Sequence, residues 1–189
     1  MNSAQMVTAL KEKFGDAVLS TVEFRGEQTL NVALASVKTV LTYCRDELSF
    51  DYLVDVSSVD HMGEEPRFEL VYELYGYGHH QHLRIKCKVA DDAEAPTVSD
   101  VWPTANWHER EIYDMMGIRF TDHPDLRRIL MWDGYPYFPL RKEFPLAGHP
   151  SEMPEVAFTG IAPMADGPFV TSAGAPDTVA REPRSKRAE

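Results

Sequence analysis

Cysteine is scarce. Cys44 and Cys87 are the only two in 189 residues, far apart and in apolar surroundings. A disulfide framework is therefore not the basis of the fold, and a reducing compartment is the expectation. Two thiols are also too few for an iron–sulfur cluster, which draws on a full set of cysteine ligands. Long apolar runs are missing as well: none approaches the ~18 residues of a membrane span. The start, MNSAQMVTALKEKFG, has neither the apolar core of a secretory signal nor the Arg-rich pattern of a mitochondrial presequence, so a cytoplasmic, bacterial chain is expected. Basic residues are in deficit, and the net charge of -11 argues against general affinity for nucleic acid or anionic lipid. There is no G-x-x-x-x-G-K-[ST] loop and no G-x-G-x-x-G. Gly76-Tyr77-Gly78 alone is too little to support nucleotide binding.

What is present reads as one α+β domain with appendages. Met6, Val7, Leu10 and Phe14 recur at helical spacing before Gly15, which predicts a helix over about residues 4 to 14. Val18 to Phe24 and Gln28 to Ala35 read as strands joined by a hairpin at Arg25-Gly26-Glu27. Ser36 is placed to cap a second helix with the stripe Val37, Val40, Leu41, Cys44 and Leu48. Strands follow around Tyr52 to Val59, Phe68 to Tyr75 and His82 to Val89. The last alternates apolar Leu83, Ile85, Cys87 and Val89 with polar His82, Arg84, Lys86 and Lys88, as in a one-faced antiparallel sheet. Asp91 to Pro96 reads as an acidic loop, and a third helical stretch is predicted from about Thr97 to Met116, with Pro103 as a point of interruption, ending at Gly117. The order α-β-β-α-β-β-β-α implies a compact domain over residues 1 to 120, with a mainly antiparallel sheet and helices on one side.

Several clusters contain residue types that do chemistry. His79, His80 and His82, with His61, form the most metal-like group. A polar hairpin end is the preferred reading, because no carboxylate or cysteine stands beside them at ligand spacing. Ser57, Ser58, Asp60 and His61 include the types of a hydrolytic triad, yet neighbours along a strand point to opposite faces and no G-x-S-x-G elbow surrounds them. Glu109, Arg110, Glu111 and Asp114 crowd the third helix. With Arg119 close by, surface or interface ion pairing is expected rather than a shared proton or metal. Arg127-Arg128 have the fork geometry for a carboxylate or phosphate. Flanked by Leu126, Ile129 and Leu130, they read as a protein contact.

Beyond Phe120 the pattern changes. Residues 121 to 149 combine Pro124, Pro136, Pro139 and Pro145 with many large apolar side chains, too apolar for a linker and too rich in proline for a regular element. Within them FPLRKEFPL repeats Phe-Pro-Leu on either side of Arg141-Lys142-Glu143. At polyproline spacing, Phe138, Arg141 and Phe144 share one column and Leu140, Glu143 and Leu146 another. The segment is expected to be an extended strap that orders only where its charges also find partners. Its deletion is expected to leave the domain folded and to abolish assembly. Residues 150 to 189 read as an extended or disordered tail ordered by partners.

The run Glu109-Arg110-Glu111-Ile112-Tyr113-Asp114-Met115-Met116-Gly117-Ile118-Arg119-Phe120, then His123-Pro124-Asp125-Leu126-Arg127-Arg128-Ile129-Leu130 and Pro139-Leu140-Arg141-Lys142-Glu143-Phe144-Pro145, resembles the 30 kDa-type family, the C-type subunits, of the proton-pumping NADH:quinone oxidoreductase, respiratory complex I. One stretch departs from the family pattern: Trp132-Asp133-Gly134-Tyr135-Pro136-Tyr137-Phe138 stands where members commonly carry a Pro-Glu-acid-Trp-x-Gly-His type sequence. The resemblance implies a non-catalytic structural subunit of the hydrophilic arm, peripheral on the cytoplasmic face of the bacterial inner membrane. Its partners would be the large quinone-site subunit (D type) and the small subunit with the terminal cluster (B type). FMN, iron–sulfur clusters and quinone would belong to those other subunits, leaving no catalytic, cofactor or metal residue here. The expected subunit interface comprises Glu109, Arg110, Tyr113, Asp114, His123, Asp125, Arg127, Arg128, Phe138, Leu140, Arg141, Lys142 and Phe144. The alternatives are the equivalent subunit of a related membrane-bound hydrogenase and a small His-rich metal-dependent enzyme.

Overall fold

The computed structural model describes residues 2–146. The chain opens with helix α1 (Ser3–Phe14), where the Asn2 side chain accepts from the Gln5 amide at 2.9 Å and the Gln5 side chain accepts from the Asn2 amide at 3.0 Å. This reciprocal cap satisfies two of the amides that a helix start leaves open. Strands β1 (Val18–Phe24) and β2 (Glu27–Val32) meet at Arg25-Gly26, both with positive φ. That is the two-residue turn whose twist matches a hairpin. Helix α2 (Val37–Asp46) follows, then β3 (Tyr52–Asp60), β4 (Phe68–Gly76) and β5 (Gln81–Val89).

These five strands form one sheet in the order β1-β2-β5-β4-β3. All neighbours are antiparallel except β2 and β5, which run parallel. One face carries Leu30, Val32, Leu83, Ile85, Cys87, Leu70, Tyr72, Leu74, Leu53 and Val56. It joins Met6, Val7 and Leu10 of α1 and Val37, Val40, Leu41 and Cys44 of α2 in a single buried core. The opposite face is polar: Glu73 pairs with Arg84, and Glu69 pairs with Lys86 at 2.9 Å. The chain is therefore α+β with a mainly antiparallel sheet.

The third helix differs from its expectation. Helix α3 spans Ala105–Met116, not Thr97 onward. The Thr97 amide donates to Thr121 and the Val98 amide to the Glu109 side chain, while Val101 and Trp102 turn back to the Val98 carbonyl. Trp102 also precedes Pro103, which disfavours helical geometry there. The predicted acidic loop contains a three-residue strand, β6 (Glu94–Pro96), parallel to β7 (Arg119–Thr121) just after α3. Such short strands offer no alternation to read.

One compact unit extends to Lys142. A second unit begins at Glu143. The expected tail at 150–189 lies outside the described residues.

Candidate functional site

The C-terminal turn of α3 and the segment 121–142 build one another. A helix end leaves carbonyls without partners and carries partial negative charge. Here the strap supplies the donors. Arg128 Nη1 donates to the Asp114 carbonyl at 3.0 Å, the Leu140 amide to Met115 at 3.1 Å, and Arg141 Nε to Met116 at 2.6 Å. Gly117 ends the helix with φ +79, and a Cβ there would stand 2.8 Å from the Phe138 ring and 2.9 Å from Arg141. Glycine is required twice at this point, by conformation and by the closeness of the strap.

Asp114 is the anchor. Its side chain is fully buried; Oδ2 accepts from the amides of Ile129, Leu130 and Met131 at 3.0, 2.7 and 2.8 Å, and Oδ1 pairs with Arg128 at 2.5 Å. Burial by itself would push the carboxyl up, but the Met131 amide, Arg128 and the other two amides outweigh it and hold it below the usual range. Arg128 also reaches the carbonyls of Tyr135 and Tyr137, and lies 5.8 Å from the Tyr135 ring and 5.2 Å from the Phe138 ring. Arg110, likewise buried, donates to the carbonyls of Arg127 and Arg128 at 3.2 Å each.

A second tie joins the strap to the sheet. Asp60 at the end of β3 receives two hydrogen bonds from Arg67 at 2.8 and 2.7 Å and one from the Lys142 amide at 2.8 Å. Arg67, against the upward push of burial and with help from the Lys142 amide and Arg141, lowers its carboxyl to about 2. Arg141 reaches Asp91 at 3.0 Å and rests 5.1 Å from the Phe68 ring and 4.8 Å from the Phe138 ring. Weakly hydrated guanidinium planes suit such stacked positions better than ammonium groups.

The residues expected to meet another subunit thus divide. Glu109, Asp114 and Arg110 are inside the chain, with Arg128, Arg141 and Phe138 largely covered. The charges of Asp114, Arg110, Arg128 and Arg141 are met by this chain's own groups rather than presented to a partner. Asp125 and Arg127 pair with each other in the open at 2.9 Å. Tyr113 is half-buried, and the ring of His123 is enclosed. Lys142 is exposed, as is Leu140, while Phe144 is half-buried in the second unit. Up to Lys142 the charges of Arg128 and Arg141 meet groups of this chain's own domain. Beside its exposed charges, the strap turns large apolar side chains outward: Leu130 is 61% exposed, Leu140 56%, Trp132 47% and Tyr137 40%. Removal of 121–142 would strip Asp114 of its donors and the carbonyls of Met115 and Met116 of theirs.

Sequence reasoning missed the burial of Glu109, although a signal was there. Ala105, Glu109, Ile112 and Met116 fall on one stripe of α3 whose other members are core residues. The histidines do not converge. His79 contacts the Leu48 carbonyl at 3.0 Å, His80 the Tyr75 hydroxyl at 2.9 Å, and His82 lies against the Tyr75 ring. Among the described residues no three His, Cys, Asp or Glu groups stand where a metal ion could join them. Nor is any described helix long and apolar enough to cross a membrane.

The sequence matches the family model described as respiratory-chain NADH dehydrogenase, 30 Kd subunit, over residues 30–150. It is 48% identical over 144 residues to the C subunit of the NADH-quinone oxidoreductase of Geobacter sulfurreducens, covering 75% of this chain and 89% of that protein. It is 42% identical over 159 residues to the C 2 subunit of the NADH-quinone oxidoreductase of Rhizobium etli, covering 82% and 83% respectively. Among solved structures, it resembles the trypsin-resistant fragment (1-134) of Nqo5 with a TM-score of 0.59 and 26% identity, over 67% of this chain and all of that one. A chain of the membrane-bound sulfane sulfur reductase, an archaeal respiratory membrane complex, shares the fold with a TM-score of 0.67 at 23% identity, over 76% and 85%. The run through α3 and the strap to Lys142 lies within the matched residues, and the chain belongs to the family of the respiratory-chain NADH dehydrogenase 30 Kd subunit.

Proposed function

We propose that this chain is the C-type subunit of an NADH:quinone oxidoreductase, a structural member of its hydrophilic arm that performs no chemistry itself. The complex passes electrons from NADH through FMN and iron–sulfur clusters to a quinone and couples this to proton translocation. Those cofactors reside in other subunits, and the chain meets the membrane only through the complex, on the cytoplasmic face of the bacterial inner membrane. Its neighbours are the large quinone-site subunit and the small subunit with the terminal cluster.

Family membership supports the complex. The role inside it rests on one observation: a strap held rigidly by Asp114, Arg128 and Arg141 presents Leu130, Trp132, Tyr137 and Leu140 to the outside. A preorganised apolar row binds without the entropy cost of ordering a loop, and aromatic anchors in such a row dominate contact energy. Clamping residues and contacting residues are therefore different sets. Affinity purification of the tagged chain from native membranes tests the reading. Co-recovery of flavin and iron–sulfur absorption with NADH:quinone activity supports it; a chain recovered alone from those membranes refutes it.

A second reading keeps the fold and changes the electron donor. The likeness to a chain of another respiratory membrane complex favours keeping it. A purified assembly that evolves hydrogen and leaves NADH untouched would establish the equivalent subunit of a membrane-bound hydrogenase.

A further inference from the structure

Glu109 and Asp114 share α3 and are both 0% exposed, yet their surroundings differ. Asp114 has three amides and a guanidinium. Glu109 has one hydroxyl, from Thr97, and one amide, from Val98 at 2.7 Å, both neutral. Among the described residues no Lys or Arg pairs with it. The nearest basic group is His123, with Nε2 3.8 Å from Glu109 Oε2, but that ring is committed elsewhere. Nε2 lies 3.2 Å from the Asn106 carbonyl, and Nδ1 accepts from the Asp125 amide at 3.0 Å. Together the two contacts define the neutral tautomer with its proton on Nε2. A second proton on Nδ1 would face the Asp125 N–H, so His123 supplies no countercharge. Burial, with Arg110 nearby, holds it below its ordinary value.

The other groups within electrostatic reach do not supply one either. Lys38 from α2 is paired with Asp100 at 2.8 Å, and the two act on Glu109 in opposite senses. Tyr72 from β4 is buried, and its hydroxyl has no hydrogen-bond partner among the described residues. A carboxylate so placed is far costlier than the neutral acid. A route to solvent exists. Thr97 Oγ1 is 2.8 Å from Ser99 Oγ, and both residues line a cleft of about 260 Å³ with Lys38, Asp100, Asp122 and Pro124.

We propose that Glu109 is a proton-binding site of the folded chain, loaded from this cleft along the Ser99 and Thr97 hydroxyls. Thr97 passes its hydroxyl proton to Oε2, Ser99 passes its own to Thr97, and water at the cleft restores Ser99. Release runs the same steps in reverse, and only O–H bonds change. The ligand is the proton itself, taken up by a group that contacts the turn at 97–99, while His123 beside it begins the strap.

Carbon NMR titration of the full chain labelled at its glutamate carboxyls tests this directly. One carboxyl is expected to titrate at about 7 in place of the ordinary 4.5, and its signal to vanish in Glu109→Gln. Thr97→Val is expected to move the same midpoint further up, because the carboxylate loses a donor. That shift also assigns the signal should Glu109→Gln fail to fold. Titration of every glutamate near its ordinary value, or a raised midpoint indifferent to Thr97→Val, overturns the proposal.

Discussion

At the scale of single residues, opposite fates for two buried carboxylates on one helix show that burial does not set charge; partners do. Asp114 has donors enough to stay ionised. Asp114→Ala leaves Arg128 and three amides without their acceptor, and loss of one member of a buried pair costs about 3–5 kcal/mol. Urea unfolding would read this as a large fall in midpoint. Gly117→Ala is expected to lose more than ~1 kcal/mol, since alanine resists positive φ and its methyl meets Phe138. The pH dependence follows from the same residues. Glu109, raised from 4.5 to about 7 by burial, contributes stability that is fully present below 4.5 and lost as pH rises through about 7. Asp60, lowered from 3.8 to about 2 by Arg67, contributes stability present above 3.8 and lost as pH falls through about 2. Stability from these groups therefore peaks near pH ~4 and declines on both sides. Urea midpoints across roughly pH 2 to 8 should show both declines, and Glu109→Gln should abolish the one on the alkaline side.

At the scale of elements, the strap divides by function along its length. Arg141 caps the α3 carbonyl of Met116 and pairs with Asp91, and a hydrogen bond from a charged group is worth about 1.5–3 kcal/mol. Arg141→Ala should destabilise the chain by that order in thermal or urea unfolding. Leu140→Ser, one residue away and facing out, should shift stability by no more than ~0.5 kcal/mol. The polyproline columns place Phe138 with Arg141 and set Leu140 apart, and the inward and outward sides follow that division. They do not say what the inward side meets. Backbone carbonyls at a helix end carry no sequence signature, so in the sequence the donors of Arg128 and Arg141 read as unsatisfied and point to another subunit. The start of α3 is misread for a similar reason: the amides of Thr97 and Val98 bond to Thr121 and Glu109, contacts that only the tertiary structure creates.

For the molecule as a whole, strands with clean alternation, such as β5, were legible, as was the core stripe of α2. The parallel pairing of β2 with β5 was not, because alternation gives the face of a strand and not its neighbour. The family was legible from the run beginning at Glu109, whose density of specific residues reflects an interlocked helix and strap. Deletion of 121–142 is accordingly expected to unfold the chain, read as loss of cooperative melting. Such a deletion cannot separate folding from assembly, whereas outward substitutions can. The decisive measurement is native-membrane purification of a tagged triple variant, Leu130→Ser, Trp132→Ser and Leu140→Ser, beside its melting curve. A cooperative melt close to that of the unaltered chain, with the flavin, the iron–sulfur absorption and the NADH:quinone activity lost from the eluate, is the predicted result. Full recovery of an active complex by that variant would contradict the account.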